Sequence, residues 1–241
     1  MKKKRGARRS MPLYVFGRFL LTLFYYPVFR LRVRGRENIP KAGPVLLCCN
    51  HMAKRDPVML GVAVNGRQVC YMAKEELFEN RFLGGVLRRL GAFPVRRGSG
   101  GADALADAYR LLDGNGMVGV FIEGHRSKDG LLQRPKTGAA LLAYQTKAPV
   151  VPVCITAGDG GLPKKFKKHL VVFGKPISAE ELNIPDDSSM QLRRASRTIM
   201  GRITDLREES LKELGLPSAA GGGGSRHRKV TAGWLWLLKN H

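Results

Sequence analysis

The chain has 241 residues, enough for one sizeable core and too few for two comfortable domains. Hydrophobic residues make up 44% and charged residues 25%, a balance that excludes an intrinsically disordered chain. Lys and Arg number 42 against 19 Asp and Glu, a formal net charge of +23. A surplus of that size draws polyanions (nucleic acid, anionic lipid, phosphorylated substrates or acidic carrier proteins) without choosing among them.

The chain opens with KKKRGARR and continues MPLYVFGRFLLTLFYYPVFRL. A basic head before an apolar run has the outline of a secretory signal, but no small-residue cleavage site follows. Arg18 and Arg30 bracket an apolar stretch of 11 residues, Phe19 to Phe29, whereas a single membrane span needs about 20. Short, basic-flanked and aromatic-rich, residues 1–30 fit a helix lying in the membrane interface, where each Lys or Arg adds about 1 kcal/mol of attraction near an anionic leaflet. The plainer alternative is an N-terminal helix docked on the core.

From residue 31 the chain alternates strand-like and helical segments. RLRVRG and GPVLLCCN read as strands, the second more buried, and Pro57 to Val64 as a short helix. QVCYMAK is a strand, Asn80 to Leu90 has helical spacing, and AFPVRR is a strand. ADALADAYRLLDG is a helix stopped by Gly114, MVGVFIEG a continuous apolar strand, and TGAALLAYQTK a helix. APVVPVCIT and HLVVFGKP are strands, and Ser188 to Leu214 is a long amphipathic helix. Continuous apolar strands between helices predict an α/β fold with a largely parallel central sheet flanked by helices. Three regions are expected: the interfacial segment 1–30, a core domain 31–217, and residues 218–241. The last hold the linker-like AAGGGGS and a basic, Trp- and Leu-containing tail, either a natural extension or an appended sequence.

Cys48, Cys49, Cys70 and Cys154 lack the spacing of a zinc site or a redox pair and lie mostly within apolar runs. They read as buried, reduced thiols, which suits a reducing compartment. No metal-ligand cluster is evident. Nucleic acid is an unpromising partner despite the charge, because no recognised binding motif is present and aromatics do not interleave with the basic patches of the core.

Four stretches carry chemistry. In CCNHMAKRDP, residues 48–57, His51 and Asp56 stand five apart, about 140° around a continuous helix, so they meet only if no helix runs through them. Asp56–Pro57 has the makings of a helix start, with Asp as N-cap and Pro at the first turn. The loop before it can then fold His51 onto the Asp56 carboxylate, which would fix the tautomer and leave a basic nitrogen. Spacing alone equally permits a capping aspartate and a histidine that merely ends a strand. In GAFPVRRG, residues 91–98, Arg96 and Arg97 form an anion site or an ordinary basic surface. In VFIEGHRSKDG, residues 120–130, a buried strand runs into Glu123, Gly124 and Arg126, where ligand crevices form in α/β sheets. Glu123 could accept from substrate hydroxyls and Arg126 pair with a phosphate, while His125 reads as a loop residue. In APVVPV, residues 148–153, Pro152 removes a ladder donor and points to an edge strand or a bend.

Taken in order, NH-x4-D, G-x-F-x-x-x-R, F-x-E-G-x-R and V-P-V resemble the glycerolipid acyltransferase family, and more narrowly the 1-acylglycerol-3-phosphate acyltransferases of the PlsC type. The resemblance covers roughly residues 30 to 180, with the first and third motifs the specific ones. It implies that His51 is the general base and Asp56 its orienting partner, that Arg97 and Arg126 hold the acceptor's phosphate, and that Glu123 and Gly124 bind the acceptor. RPKTGAALLA, residues 134–143, also looks familial, with Lys136 as a further binding residue.

The implied substrates are lysophosphatidate and an acyl thioester, acyl-CoA or acyl carrier protein, with phosphatidate as product and no cofactor. The acceptor is the nucleophile, so no cysteine carries the acyl group. Backbone N–H groups at the helix start near Asp56 are expected oxyanion donors. The implied location is the cytoplasmic face of an anionic membrane, peripheral or monotopic. The family usually has F-P-E-G-T-R. Here Ile122 replaces the proline and His125 the threonine, and Arg96 precedes Arg97 where an acidic or other residue is frequent. These departures leave open another acyltransferase of the superfamily, acting on a different lysolipid or an aminolipid. A non-catalytic membrane-binding protein on the same fold is the reading from another functional class.

Overall fold

The computed structural model of the chain describes residues 11–95, 102–162 and 164–218. The basic head, Arg96, Arg97 and the glycine-linked tail from 219 lie outside them. Helix α1 (Met11–Val28) leads into strand β1 (Leu31–Arg34). Then follow β2 (Val45–Cys49), α2 (Asp56–Ala63), β3 (Val69–Lys74), α3 (Arg81–Arg89) and β4 (Ala92–Val95). The second half comprises α4 (Ala102–Asp113), β5 (Met117–Phe121), α5 (Gly138–Thr146), β6 (Val150–Ala157), β7 (His169–Phe173), the short α6 (Ala179–Leu182) and the long α7 (Ser189–Glu213). The strands form one seven-stranded sheet in the order β1-β7-β6-β2-β5-β3-β4.

Neighbouring strands are parallel except β6 and β7, which pair antiparallel from Val153–Phe173 to Ala157–His169. The sheet is therefore mixed: β7 and its parallel neighbour β1 run against the other five strands. A loop of 11 residues between β6 and β7 is long enough for a hairpin-like return, with no crossover helix among its described residues to impose a parallel one.

Side-chain alternation along the strands divides the core into two layers. Leu46, Cys48 and Val118 face α4, α5 and α7, where they meet Leu112, Leu142, Ile199 and Ile203. Val45, Leu47, Cys49, Val151 and Val153 face the other way, against Met59 and Leu60 of α2 and Phe29 at the end of α1. Burial on both sides explains why these strands are apolar throughout.

Of residues 1–30, the described part is helix α1 and the turn after it. The inner face of the helix docks on the core. The Arg18 guanidinium turns inward to donate to the Val64 carbonyl at 2.9 Å and the Asn65 side chain at 3.0 Å, and the Val69 N–H reaches the Tyr14 hydroxyl. Its outer face carries Leu13, Phe16, Phe19, Leu20, Leu23 and Phe24, each 43–59% exposed. No helix among the described residues is long and apolar enough to cross a membrane.

Pro152 does not mark an edge: it sits on β6, an interior strand between β2 and β7. It falls where the neighbouring chain leaves the ladder, between the Val153–Phe173 pair and an isolated bridge from Val150 to Ile177, and its carbonyl accepts from the Gly174 N–H. Arg207 of the amphipathic α7 is buried and donates to the carbonyls of Gly130 (2.7 Å) and Gly160 (3.0 Å). It ties together the loops that follow β5 and β6.

Gly119 of β5 is required by packing. A Cβ there would stand 2.5 Å from Cε1 of Tyr71, whose ring lies across the neighbouring strand. Gly119→Ala is expected to overpack this layer and lower stability by about 1–3 kcal/mol, read as a reduced urea midpoint with an unchanged m-value.

Candidate active site

Strand β2 ends at Cys49, and the next residue extends it with a side chain. The buried Asn50 amide accepts from the Ile155 N–H at 2.8 Å and donates to the Ile155 carbonyl at 3.0 Å. It imitates one more backbone pair with β6 while its own main chain is free to turn away. His51 is therefore delivered at the carboxyl edge of the parallel strands, where ligand crevices of open α/β sheets lie.

The main chain of His51 is held on both sides by the loop after β5. Its N–H donates to Glu123 Oε1 at 2.9 Å, and its carbonyl accepts from the Ser127 N–H at 2.8 Å. The ring stacks on Phe121, the last residue of β5, with centroids 4.0 Å apart and planes 23° from parallel. Nδ1 lies 2.9 Å from Asp56 Oδ2. A carboxylate accepts, so the proton sits on Nδ1 and Nε2 keeps its lone pair. The imidazole remains 16% exposed, while the Asp56 side chain has no exposure.

Asp56 does this by turning backwards. Oδ2 also accepts from the N–H groups of Met52 (2.6 Å) and Ala53 (2.7 Å), the loop residues just after His51. The helix begins at Asp56, as the Asp-Pro pair predicts, but Arg55 holds the cap position and no side chain caps the helix. Asp56 closes the turn in front of α2 and does not cap α2. Oδ1 has no hydrogen-bond partner among the described residues. The oxyanion donors expected at the helix start are already engaged. Pro57 has no N–H, the Asp56 N–H bonds to the Ala53 carbonyl, and those of Val58 and Met59 bond to the Arg55 carbonyl.

The third motif is brought to the same place. Glu123 is buried, Oε1 accepts from the His51 N–H and Oε2 from the Gln133 N–H at 3.0 Å, so it braces the His51 backbone. Burial pushes its carboxyl pKa up, and the two N–H donors pull the other way. Gly124 turns the chain at φ +73, and a Cβ there would stand 3.0 Å from Cγ of Lys136, whose stem crosses it. The Lys136 N–H donates to the Ile122 carbonyl at 2.8 Å, fastening the RPKTG stretch to the end of β5. Arg126 is exposed, one residue from the Ser127 that grips His51, and forms no ion pair among the described residues. Arg97 lies outside the described residues. His51, Asp56, Glu123, Gly124, Arg126 and Lys136 thus converge.

All four cysteines are buried thiols. Burial raises the Cys154 thiol to about 11, against a contact with the Thr156 hydroxyl, and lifts Cys48 and Cys49 further. Thiols held in that state are poor nucleophiles. No cluster of three metal-ligating side chains occurs among the described residues.

Residues 30–156 match the family model described as Acyltransferase. The 1-acyl-sn-glycerol-3-phosphate acyltransferase of Bacillus subtilis is 34% identical over 188 residues, 76% of this chain and 91% of that one. The chain belongs to the PlsC-type acyltransferase family. The enzyme of the same name from Streptococcus pneumoniae is 31% identical over 78% of this chain and 71% of its own. The crystal structure of the 1-acyl-sn-glycerophosphate (LPA) acyltransferase PlsC from Thermotoga maritima superposes with a TM-score of 0.63, at 23% identity, over 89% of this chain and 80% of that one. This likeness extends the family's fold to the acyltransferase described above.

Sequence reading missed Asn50 and Phe121 as parts of the site. Asn50, a polar residue closing a fully apolar strand, was the signal available; nothing in the pattern marked Phe121.

The raised carboxyl of Glu123 has a testable sign. A group whose folded pKa lies above its unfolded value near 4.5 contributes stability below that value and loses it as pH rises through the folded pKa. Relative to Glu123→Gln, which cannot ionise there, the wild type is expected to lose stability from pH 4.5 upward, with no change in the difference at lower pH. Urea midpoints of both proteins across that range measure it.

Proposed function

We propose that this acyltransferase transfers an acyl group from an acyl thioester to the free hydroxyl of lysophosphatidate, giving phosphatidate, a step of phospholipid biosynthesis. The observation that carries the chemistry is the 2.9 Å contact of His51 Nδ1 with a buried carboxylate, which leaves Nε2 as the basic nitrogen of a partly exposed ring. The acceptor is supported by the names of the Bacillus and Streptococcus relatives.

His51 Nε2 takes the proton from the acceptor hydroxyl as its oxygen attacks the thioester carbonyl. The tetrahedral intermediate collapses with cleavage of the carbon–sulfur bond, and the imidazolium returns its proton to the departing thiolate. Asp56 holds the ring's tautomer and offsets the charge that appears on it. The acceptor's phosphate is met by Arg126, exposed and next in sequence to the Ser127 that binds the His51 carbonyl, together with Lys136 and Arg97. Acyl-CoA and acyl carrier protein both present the required thioester. The exposed apolar face of α1 lies in the membrane interface on the cytoplasmic side, where a lysolipid is found, and the net charge of +23 favours an anionic leaflet.

The test is transfer of a labelled acyl group from its coenzyme A or carrier-protein thioester to lysophosphatidate by purified protein. His51→Ala is expected to lower kcat by about 10²–10⁴-fold, the usual contribution of a positioned base. Full activity of this variant would sink the assignment, and transfer only to other lysolipids or aminolipids would redirect the acceptor. Arg126→Ala is expected to raise the acceptor KM by about 10- to 100-fold, the loss of one charge-assisted contact, with a much smaller effect on the thioester KM.

A further inference from the structure

The loop between β6 and β7 carries the sequence KKFKK, residues 164–168, which the acyl-transfer chemistry does not use. Phe166 stands 72% exposed at its centre. Its backbone is left-handed, at φ +60, a conformation that bulky residues rarely adopt. The main chain is nevertheless firmly held. The Phe166 N–H donates to the Val28 carbonyl at 2.7 Å, at the end of α1. The buried His169 ring follows, its Nδ1 3.0 Å from the Phe29 carbonyl and 2.9 Å from the Lys167 carbonyl. The fold thus fixes the loop's backbone while leaving a large apolar ring outside. Lys164 pairs with Asp159 at 2.9 Å, whereas Lys165, Lys167 and Lys168 are exposed and form no ion pair among the described residues.

The loop's location gives these features a direction. Because β7 runs against β6, the loop leaves the sheet at the carboxyl edge of the parallel strands, the edge that carries His51. Phe29 links the two regions: its ring lies 5.4 Å from that of His169, and the Arg55 guanidinium stands over it at 5.0 Å, one residue from Asp56. The loop is also tied to the helix whose outer face is an apolar stripe. One protruding aromatic ring flanked by free cations, adjoining that stripe, fits the boundary between headgroups and acyl chains.

We propose that residues 164–168 form a second membrane contact, in which Phe166 enters the headgroup–acyl boundary of an anionic leaflet and Lys165, Lys167 and Lys168 pair with lipid phosphates. The inference rests on the reading that the α1 stripe lies in the same interface. Two contacts fix the tilt of the protein on the surface and turn its catalytic edge toward the bilayer. A lysolipid then presents its hydroxyl to His51 without leaving the leaflet.

The test uses the full chain with Phe166→Cys carrying an environment-sensitive nitrobenzoxadiazole label, the four native cysteines being buried. With phosphatidylglycerol-containing vesicles the emission is expected to strengthen and shift to the blue. Replacing Lys165, Lys167 and Lys168 by Gln in the labelled protein should weaken its affinity for these vesicles about tenfold or more, with little change on phosphatidylcholine alone. Unlabelled Phe166→Gly removes the ring while easing the left-handed backbone, so its fold is not at risk. It should bind the anionic vesicles on the order of tenfold more weakly. An unchanged label on protein that still floats with the vesicles through α1, or an undiminished affinity of Phe166→Gly, overturns the proposal. So does a label that responds to acidic acyl carrier protein and not to vesicles, which would make the loop a protein-docking site. Binding is read without turnover, so failure here and failure of the acyl-transfer assignment are separable.

Discussion

One carboxylate oxygen organises the neighbourhood of His51. Asp56 Oδ2 accepts from the imidazole of His51 and from the N–H groups of Met52 and Ala53. A buried carboxylate without such partners would be costly, so the loop has little freedom to open and leave it bare. The same three bonds make the segment after β2 a closed turn, and that closure lets residues five apart meet. Asn50, Asp56 and Glu123, all fully buried, each take up backbone N–H groups around this turn. His51 is held through its main chain by Glu123 and Ser127, and its ring is settled by Asp56 and the stacking face of Phe121.

The remainder of the fold supplies a rigid edge for that turn. Strands buried on both faces give β2, β5 and β6 little room to shift, and Arg207 joins the loops beyond two of them from α7. The groups that hold the site are inward and hydrogen-bonded, while the cations proposed to meet the phosphate, Arg126 and Lys136, stand outward. This division suits a surface-facing crevice: His51 has a fixed address, and the long cationic side chains keep the freedom to close on an anion.

Much of this was legible in the sequence. Strands β2 and β6 are continuous apolar runs, the Asp56–Pro57 pair announces the start of α2, and Gly114 stops α4, because burial, backbone preference and helix termination are local properties. That the NH-x4-D and F-x-E-G-x-R stretches belong together was implied by the family resemblance, and the structure supplies the reason, since both follow strands that lie side by side. Three things were not legible. The direction of β7 depends on which partner the chain meets after a long loop, and apolar content does not encode it. Pro152 looked like an edge marker because the sequence shows a missing donor but not that the neighbouring chain had already departed. The grip of Glu123 on the His51 N–H was hidden too, because it depends on which backbone group the neighbouring strand end brings past it.

The reversal of β7 has an architectural consequence. In a wholly parallel sheet, a helix leading into β1 would arrive at the amino edge, far from the chemistry. Here β1 pairs parallel to β7 and runs against the other five strands, so the chain enters the sheet near the turn that holds His51, and Phe29 is its point of entry. The end of α1 is thereby close to that turn in space, though remote from most of the site in sequence. Segments joined at that doorway can diversify what the enzyme leans against while the sheet and its buried polar supports stay as they are.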